Sequence, residues 1–229
     1  MPGRDLILFD VITALGITHF LLKTKGTPLE MVTIMFTLMW VMSMVILVML
    51  RVYGGRSGQT GDVVDYDENL ERQHLPWLFG SLAAIAVINI LLVSGLRGAV
   101  RFSAIYVPRP SLAQVPGTFS GTATILDDLL YNFFLVSQAE ESVKLMSILA
   151  LYRKTQNFML SAGIPIGIWA VFHAYLAYLG QGMEVLVIAA FISGIVLFIA
   201  LRQTKSLLNA VISHGLWNSI VILSSLFLS

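Results

Sequence analysis

The amino-acid sequence predicts an all-α fold, a polytopic transmembrane bundle of about seven helices. Two observations lead to this prediction. Hydrophobic residues make up 57% of the 229-residue chain and charged residues only 12%, whereas an ordinary soluble domain carries about 25% charged residues. The apolar residues also form runs long enough to cross a bilayer, and polar segments separate these runs. A chain with so few charges cannot cover a water-facing surface, so its helices are expected to face lipid.

The first three spans are predicted from apolar runs at about residues 6–22, 31–50 and 76–96. The first run follows Arg4 without a clean small-residue cleavage site, so we expect an uncleaved span rather than a signal peptide. A polar loop rich in glycine and acidic residues separates the second span from the third.

A second group of spans follows a loop with several prolines, which argue against helix there. The four spans of this group are predicted at about 122–152, 158–179, 185–201 and 206–228. Asp127 and Asp128 fall in the first turns of the earliest of them, where the helix dipole favours negative charge. No internal repeat or low-complexity tract is evident, so we expect a single membrane-embedded domain over residues 1–229.

Composition and charge limit the chemistry and the partners. Cysteine is absent, which excludes disulfides, thiolate metal sites and a cysteine nucleophile. The formal net charge is +1 and the longest basic run is Arg153–Lys154, so we expect the lipid bilayer and no nucleic acid as surroundings. More basic residues fall on the side of the N-terminus, which predicts a cytoplasmic N-terminus. The two sets are Arg4, Arg51, Arg56, Arg72, Arg153, Lys154, Arg202 and Lys205 against Lys23, Lys25, Arg97, Arg101 and Arg109.

Ionisable and amide side chains inside the predicted spans are the candidate functional residues. A charge at the bilayer centre costs at least ~2.5–3.5 kcal/mol, so such residues are expected to face a cavity or a partner. The helical rise puts the buried polar groups of three separate spans at a similar depth, roughly 15–22 Å from the same membrane side. We therefore expect one polar cavity inside the bilayer. The candidates are Glu140, Glu141 and Lys144 in the fourth span, His173 in the fifth, and His214 and Asn218 in the seventh.

Spacing within the helices supports a shared site. His214 and Asn218 are four residues apart and share a helix face. Lys144 is three residues after Glu141 and four after Glu140, so it is able to neutralise either carboxylate. The two carboxylates differ by about 100° in direction around the helix. We expect one of them to face the cavity while Lys144 braces the other.

Several functions are compatible with these residues. An ion or proton path, a metal site and a hydrolytic site all use carboxylates and imidazoles inside a membrane. A structural role is the alternative, because a single Glu–Lys pair is able to hold helices together and Asn often bonds neighbouring helices. His19 and Asp10 in the first span are interpreted as packing residues of this kind.

The motifs resemble the CPBP family, which includes the CAAX prenyl endopeptidases and bacteriocin-processing enzymes. The resemblance lies in Glu140-Glu141, in Trp169 four residues before His173, and in His214-x-x-x-Asn218. It is confined to about residues 120–229. The family usually has Arg five positions after the first Glu, whereas here Lys144 stands one position earlier. That Glu-Glu-x-x-Lys pattern is similar to the related PrsW-type proteases. Trp169 also replaces the usual Phe.

The resemblance implies an intramembrane endopeptidase that cleaves membrane-associated polypeptides and needs no cofactor. It implies that Glu140 is the general base for water and that His173 assists it. Lys144 braces Glu141, and His214 and Asn218 donate to the developing oxyanion. The chemistry agrees with this, since a partly desolvated carboxylate holds a proton more tightly than one in water, and donors act strongly in a dry site.

Two alternatives stay open beside this interpretation. Two His and one Glu with an open position form a known catalytic zinc set. The sequence has no HExxH motif, however, and supplies these side chains one helix at a time, so we predict that no zinc is required. A non-catalytic scaffold or a proton or ion pathway of the same fold is the other alternative.

Overall fold

The structure is a computed structural model that describes residues 4–26, 30–54, 72–97, 122–177 and 183–228. All its long elements are α-helices, which confirms the all-α prediction for these ranges. The helices are α1 (Arg4–Thr24), α2 (Glu30–Gly54), α3 (Leu75–Arg97, preceded by a 3₁₀ turn at Arg72–His74), α4 (Thr122–Leu130), α5 (Ser137–Thr155), α6 (Phe158–Ala177), α7 (Met183–Thr204) and α8 (Leu207–Leu228). The polar and proline-containing loops predicted before the third and fourth spans lie outside the described residues.

A π-helical segment, Tyr131–Val136, joins α4 to α5, so these three elements form one continuous helix. Counted this way, the described part of the chain contains seven long helices, as the sequence predicts. Each observed helix overlaps one predicted span and differs from it by a few residues at its ends. The agreement follows from the length of the apolar runs, which is a local property of the sequence.

The helices have the apolar surface of membrane spans. Three of them contain windows of at least 18 residues that are long and apolar enough to cross a bilayer: Ile7–Thr24, Arg72–Leu92 and Val187–Thr204. Three others contain shorter apolar stretches: Glu30–Ile46, Phe158–His173 and Leu207–Leu223. Large apolar side chains such as Leu15 and Met159 are largely exposed, an arrangement that water would oppose and lipid favours. The protein is therefore an integral membrane protein.

α5 is enclosed by its neighbours and carries the polar residues of the bundle. It packs against α2, α6, α8 and the π-helical segment. Every side chain from Leu135 to Ser142 is buried. A helix that is buried all round is shielded from solvent and from lipid alike, so the consecutive Glu140 and Glu141 lie inside protein rather than against acyl chains.

α1, which the sequence left without a function, is bound to the α4–α5 helix by polar contacts. Thr13 Oγ1 donates to Gln138 Oε1 over 2.6 Å, and the Gln138 amide donates to Asp10. Nearer the end of α1, His19 Nε2 lies 3.0 Å from Asp127, which also pairs with Lys23. Asp10 and His19 thus have the interhelical packing role expected of them.

Candidate functional site

The polar side chains of α5, α6 and α8 meet inside the bundle. Glu140 and Glu141 lie on α5, His173 on α6 and His214 on α8. All four are buried, and Glu140 retains only 2% of its accessible surface. Burial of a carboxylate is costly unless other groups bind it, so its partners indicate what the site is built to do.

Glu140 lies between α6 and α8. Its Oε2 accepts a hydrogen bond of 2.9 Å from the indole Nε1 of Trp169. The same oxygen lies 3.6 Å from His214 Nε2, which is longer than a hydrogen bond but within range of a strong charge interaction. A small movement of either side chain therefore creates or breaks a direct contact between the carboxylate and the imidazole.

Glu141 has different partners, as its different direction on the helix requires. Its Oε1 accepts hydrogen bonds from Lys144 Nζ over 2.5 Å and from His214 Nδ1 over 2.7 Å. The structure thus pairs Lys144 with the second carboxylate. A carboxylate beside an ammonium group is an acceptor only, so His214 donates from Nδ1 and directs Nε2 toward Glu140.

His173 is held through Trp169. Its Nδ1 donates to the Trp169 carbonyl oxygen over 2.9 Å, and the two rings lie 4.3 Å apart between centroids. A carbonyl oxygen only accepts, so the proton of a neutral His173 resides on Nδ1 and Nε2 is the acceptor nitrogen. Two hydrogen bonds of Trp169 therefore link His173 to Glu140.

Asn218 lies one turn beyond His214 on α8. Its Nδ2 is buried and has no hydrogen-bond partner within the described part of the chain. A buried donor left unpaired costs about 1–3 kcal/mol, so a polar group kept in this state has the character of a ligand-binding donor. The i, i+4 spacing puts it on the same helix face as His214.

Some residues that shape the site were missed by the sequence argument. Ser213, next to His214, receives a 3.0 Å hydrogen bond from Ser81 and contacts the Leu78 carbonyl, which ties α8 to α3. Gln138 ties α5 to α1. An uncharged hydroxyl or amide costs less to bury than a charge, so a lone Ser or Gln in a span is a weaker sign of a site. The sign that the sequence does offer is the position of Ser213 and Gln138 as polar residues within otherwise apolar runs.

The ion pair of Glu141 and Lys144 faces a narrow gap with space for about one water molecule. The rest of its lining is apolar and comes from α5, α6, α7 and α8. These residues are Leu145, Ile148, Ile166, Gly194, Phe198, Leu201 and Leu207. The pair is therefore held in surroundings of low polarity, where each charge depends on the other.

Among the described residues, no group of three or more His, Cys, Asp and Glu side chains is arranged to hold a metal ion. Asn218, the remaining polar group of the site, is a poor zinc ligand. The expectation that no zinc is required stays a prediction, and it needs a chemical test.

A glycine on α7 makes room for Trp169, and we predict that Gly194→Ala destabilises the protein. An added Cβ would lie 2.7 Å from Ile166 Cγ2 and 3.2 Å from Trp169 Cζ3, so α6 and α7 must separate at a cost of about 1–3 kcal/mol. Gly163→Ala is the matched control, because a Cβ there meets no atom within 4 Å. Thermal unfolding in detergent measures both variants. Equal melting temperatures would contradict the close packing.

The fold and the site define a class of protein: a polytopic membrane protein with carboxylates and imidazoles enclosed among its helices. Residues 122–220 match the family model of type II CAAX prenyl endopeptidase Rce1-like proteins. This part of the chain is therefore similar to the CPBP and CAAX protease family, and the resemblance noted from the motifs is confirmed. The match extends from α4 into α8 and includes all six candidate residues.

The comparisons support the family and not the finer motif. The similarity of the Glu-Glu-x-x-Lys pattern to PrsW-type proteases stays a prediction. α1, α2 and α3 lie outside the matched residues. No curated protein and no solved structure matches the chain.

Proposed function

We propose that the protein is an intramembrane endopeptidase that hydrolyses peptide bonds of membrane-associated polypeptides by a Glu140-activated water. The observation that carries the proposal is the position of the Glu140 carboxylate. It is buried where α5, α6 and α8 meet, with Oε2 3.6 Å from His214 Nε2. Similarity to a protease family supports peptide hydrolysis. A buried carboxylate is also suited to act as a general base, which supports this particular mechanism.

Glu140 is the general base in this mechanism. Its carboxylate takes a proton from water as the oxygen attacks the peptide carbonyl carbon, and it returns that proton to the leaving amine. His173 assists, because the acceptor nitrogen of its neutral ring is able to accept a hydrogen bond from the second O–H of the water and so position it. Trp169 brings the two together, since its indole bonds Glu140 and its carbonyl orients His173.

Asn218 and His214 stabilise the oxyanion of the tetrahedral intermediate. The buried, unpartnered Nδ2 of Asn218 is a donor of the type that such sites require. His214 donates through Nε2 when both of its ring nitrogens carry a proton, while its Nδ1 is held by the Glu141 carboxylate. Lys144 balances the charge of Glu141 and keeps it in place.

A proton pathway is the second candidate function. One chain of polar groups runs from Lys144 through Glu141 and His214 to Glu140, with separations of 2.5, 2.7 and 3.6 Å. Chains of carboxylates and imidazoles carry protons through membrane proteins. A scaffold of the same fold would use the same contacts only to hold helices together. Peptide cleavage by the purified protein separates the endopeptidase from both.

The first test is cleavage by the purified, lipid-reconstituted protein of a panel of membrane-anchored reporter peptides, with and without prenyl groups. We expect cleavage that persists after exhaustive treatment with a strong zinc chelator, because a Glu-activated water needs a carboxylate, a positioning His and oxyanion donors but no metal. Elemental analysis of the same preparation is the control. Stoichiometric zinc, with activity lost on chelation and restored by zinc alone, would overturn the glutamic mechanism. No cleavage across the panel would favour the scaffold or the pathway.

The orientation of the chain is part of the proposal. The excess of basic residues on the side of the N-terminus supports a cytoplasmic N-terminus. On that side, the short connections between α5 and α6 and between α7 and α8 contain Gln156 and Lys205 in the left-handed conformation. Arg153, Lys154 and Arg202 lie at the adjoining helix ends, where they face anionic lipid headgroups in this orientation.

A further inference from the structure

We infer that Trp169 is a positioning residue for Glu140, and that its indole N–H holds the general base in the orientation that activates water. The inference rests on the proposed function and adds to it a residue that the motif comparison treated only as an aromatic ring. The key observation is the 2.9 Å hydrogen bond from Trp169 Nε1 on α6 to Glu140 Oε2 on α5. A donor bonded to a charged oxygen gives a short and directional contact.

The indole is itself held on several sides. Lys144 Nζ lies 3.7 Å from the centroid of the Trp169 ring, a distance typical of a cation–π contact. The His173 and His214 rings contact it at centroid distances of 4.3 and 5.9 Å, with interplanar angles of 63° and 86°. An aromatic side chain fixed by such neighbours has little freedom to rotate, so its N–H is presented in one direction.

The hydrogen bond from Trp169 determines which oxygen of the Glu140 carboxylate lies near the indole and near His214. Trp169 Nε1 and His214 Nε2 both approach Oε2 of Glu140. A carboxylate bonded at Oε2 is restricted in its rotation, so the general base keeps one orientation. Without the indole donor the Glu140 side chain rotates about its own torsions. A general base must lie within hydrogen-bond reach of the proton that it removes, and a misplacement of about 1 Å is enough to lower a rate substantially.

Trp169→Phe tests the donor while retaining an aromatic ring. A hydrogen bond to a charged group is typically worth enough to predict a fall in kcat of about 10- to 100-fold. KM is expected to stay within about twofold, because the bond acts on the catalytic base rather than on substrate binding. A purely structural role would lower the amount of folded enzyme and leave kcat per folded active site unchanged. Active-site titration and thermal unfolding therefore accompany the kinetics.

Trp40→Phe is the matched control. Trp40 Nε1 is buried on α2 and has no hydrogen-bond partner within the described residues, so the same substitution removes a donor that binds nothing there. We expect kcat and KM of this variant to equal those of the unaltered protein. A fall in kcat as large as that of Trp169→Phe would show that the loss is a general response to the exchange of tryptophan, and would overturn the inference.

A spectroscopic measurement tests the bond without using activity. The chain has 4 tryptophans, so ¹⁵N-indole labelling of the protein in lipid nanodiscs gives a resolvable set of N–H resonances. Glu140→Gln replaces the charged acceptor of the indole N–H by a neutral one, so it is expected to shift the Trp169 resonance and to leave those of Trp40, Trp77 and Trp217 in place. An unmoved Trp169 resonance would overturn the inference, and this variant retains Trp169, so the result does not depend on the folding of Trp169→Phe.

The two kinds of failure are distinguishable. If the unaltered protein cleaves peptides and Trp169→Phe keeps its full kcat, the positioning role is wrong and the endopeptidase proposal stands. If the unaltered protein cleaves nothing, the proposed function is wrong and the positioning role falls with it. A lowered kcat at constant KM together with the shifted Trp169 resonance supports both.

Discussion

Replacement of Glu140 by Gln is expected to abolish peptide cleavage while leaving the protein folded. Gln has the shape of Glu, and its amide oxygen still accepts a hydrogen bond from Trp169 Nε1, but it is unable to take a proton from water. General acid–base groups contribute about 10²- to 10⁴-fold to a rate, so the remaining cleavage should fall near the background. The measurement is the rate of cleavage of a membrane-anchored reporter, with thermal unfolding of the same preparation.

A second Glu→Gln exchange controls for the loss of a charge. Glu30 lies at the start of α2, where its carboxylate accepts a hydrogen bond from the Gly26 backbone N–H. We expect Glu30→Gln to retain full cleavage. Cleavage by Glu140→Gln at a rate close to that of Glu30→Gln would remove Glu140 from the role of general base.

Glu141→Gln is expected to act mainly through stability. The substitution leaves the Lys144 ammonium group buried without its counter-charge, among apolar side chains such as Ile148 and Phe198. Removal of one partner from a buried ion pair typically costs about 3–5 kcal/mol. A partial loss of activity should accompany it, because His214 Nδ1 loses a charged acceptor. Thermal or denaturant unfolding in detergent measures the change in stability.

A double-mutant cycle identifies the cause of that loss. We expect Lys144→Met to destabilise by leaving Glu141 charged and buried, and the double variant to lose less stability than the sum of the two single variants. Groups in direct contact show such coupling, whereas independent sites are additive. Strictly additive losses would show that the 2.5 Å contact between Lys144 and Glu141 contributes little to the folded state.

The sequence by itself determined the class of fold and the set of candidate residues. Apolar runs of about 20 residues predict spans because the thickness of a bilayer fixes the required helix length. The observed helices agree with all seven predicted spans in the described ranges. The common depth of Glu140, His173 and His214 followed from the constant helical rise. These properties are local, so they need no knowledge of which helices are neighbours.

The sequence alone does not show which partner each buried side chain binds. Lys144 stands one turn after both carboxylates, and helix geometry allows it to reach either of them. His214 on α8 contributes to the outcome, because it bonds Glu141 and so places that carboxylate beside Lys144. Contacts between helices that are distant in sequence depend on packing, which a single run of residues does not encode.

The same reason explains what the sequence missed around Glu140. Trp169 matched a motif through its ring, while its indole N–H bonds a carboxylate 29 residues away in the chain. The tautomer of His173 is fixed by a backbone carbonyl, and that of His214 by a carboxylate on another helix. The sequence determines which groups are buried at one level of the bilayer. Only the tertiary structure decides which donor meets which acceptor, because hydrogen bonds require distances and angles that are set when the helices pack.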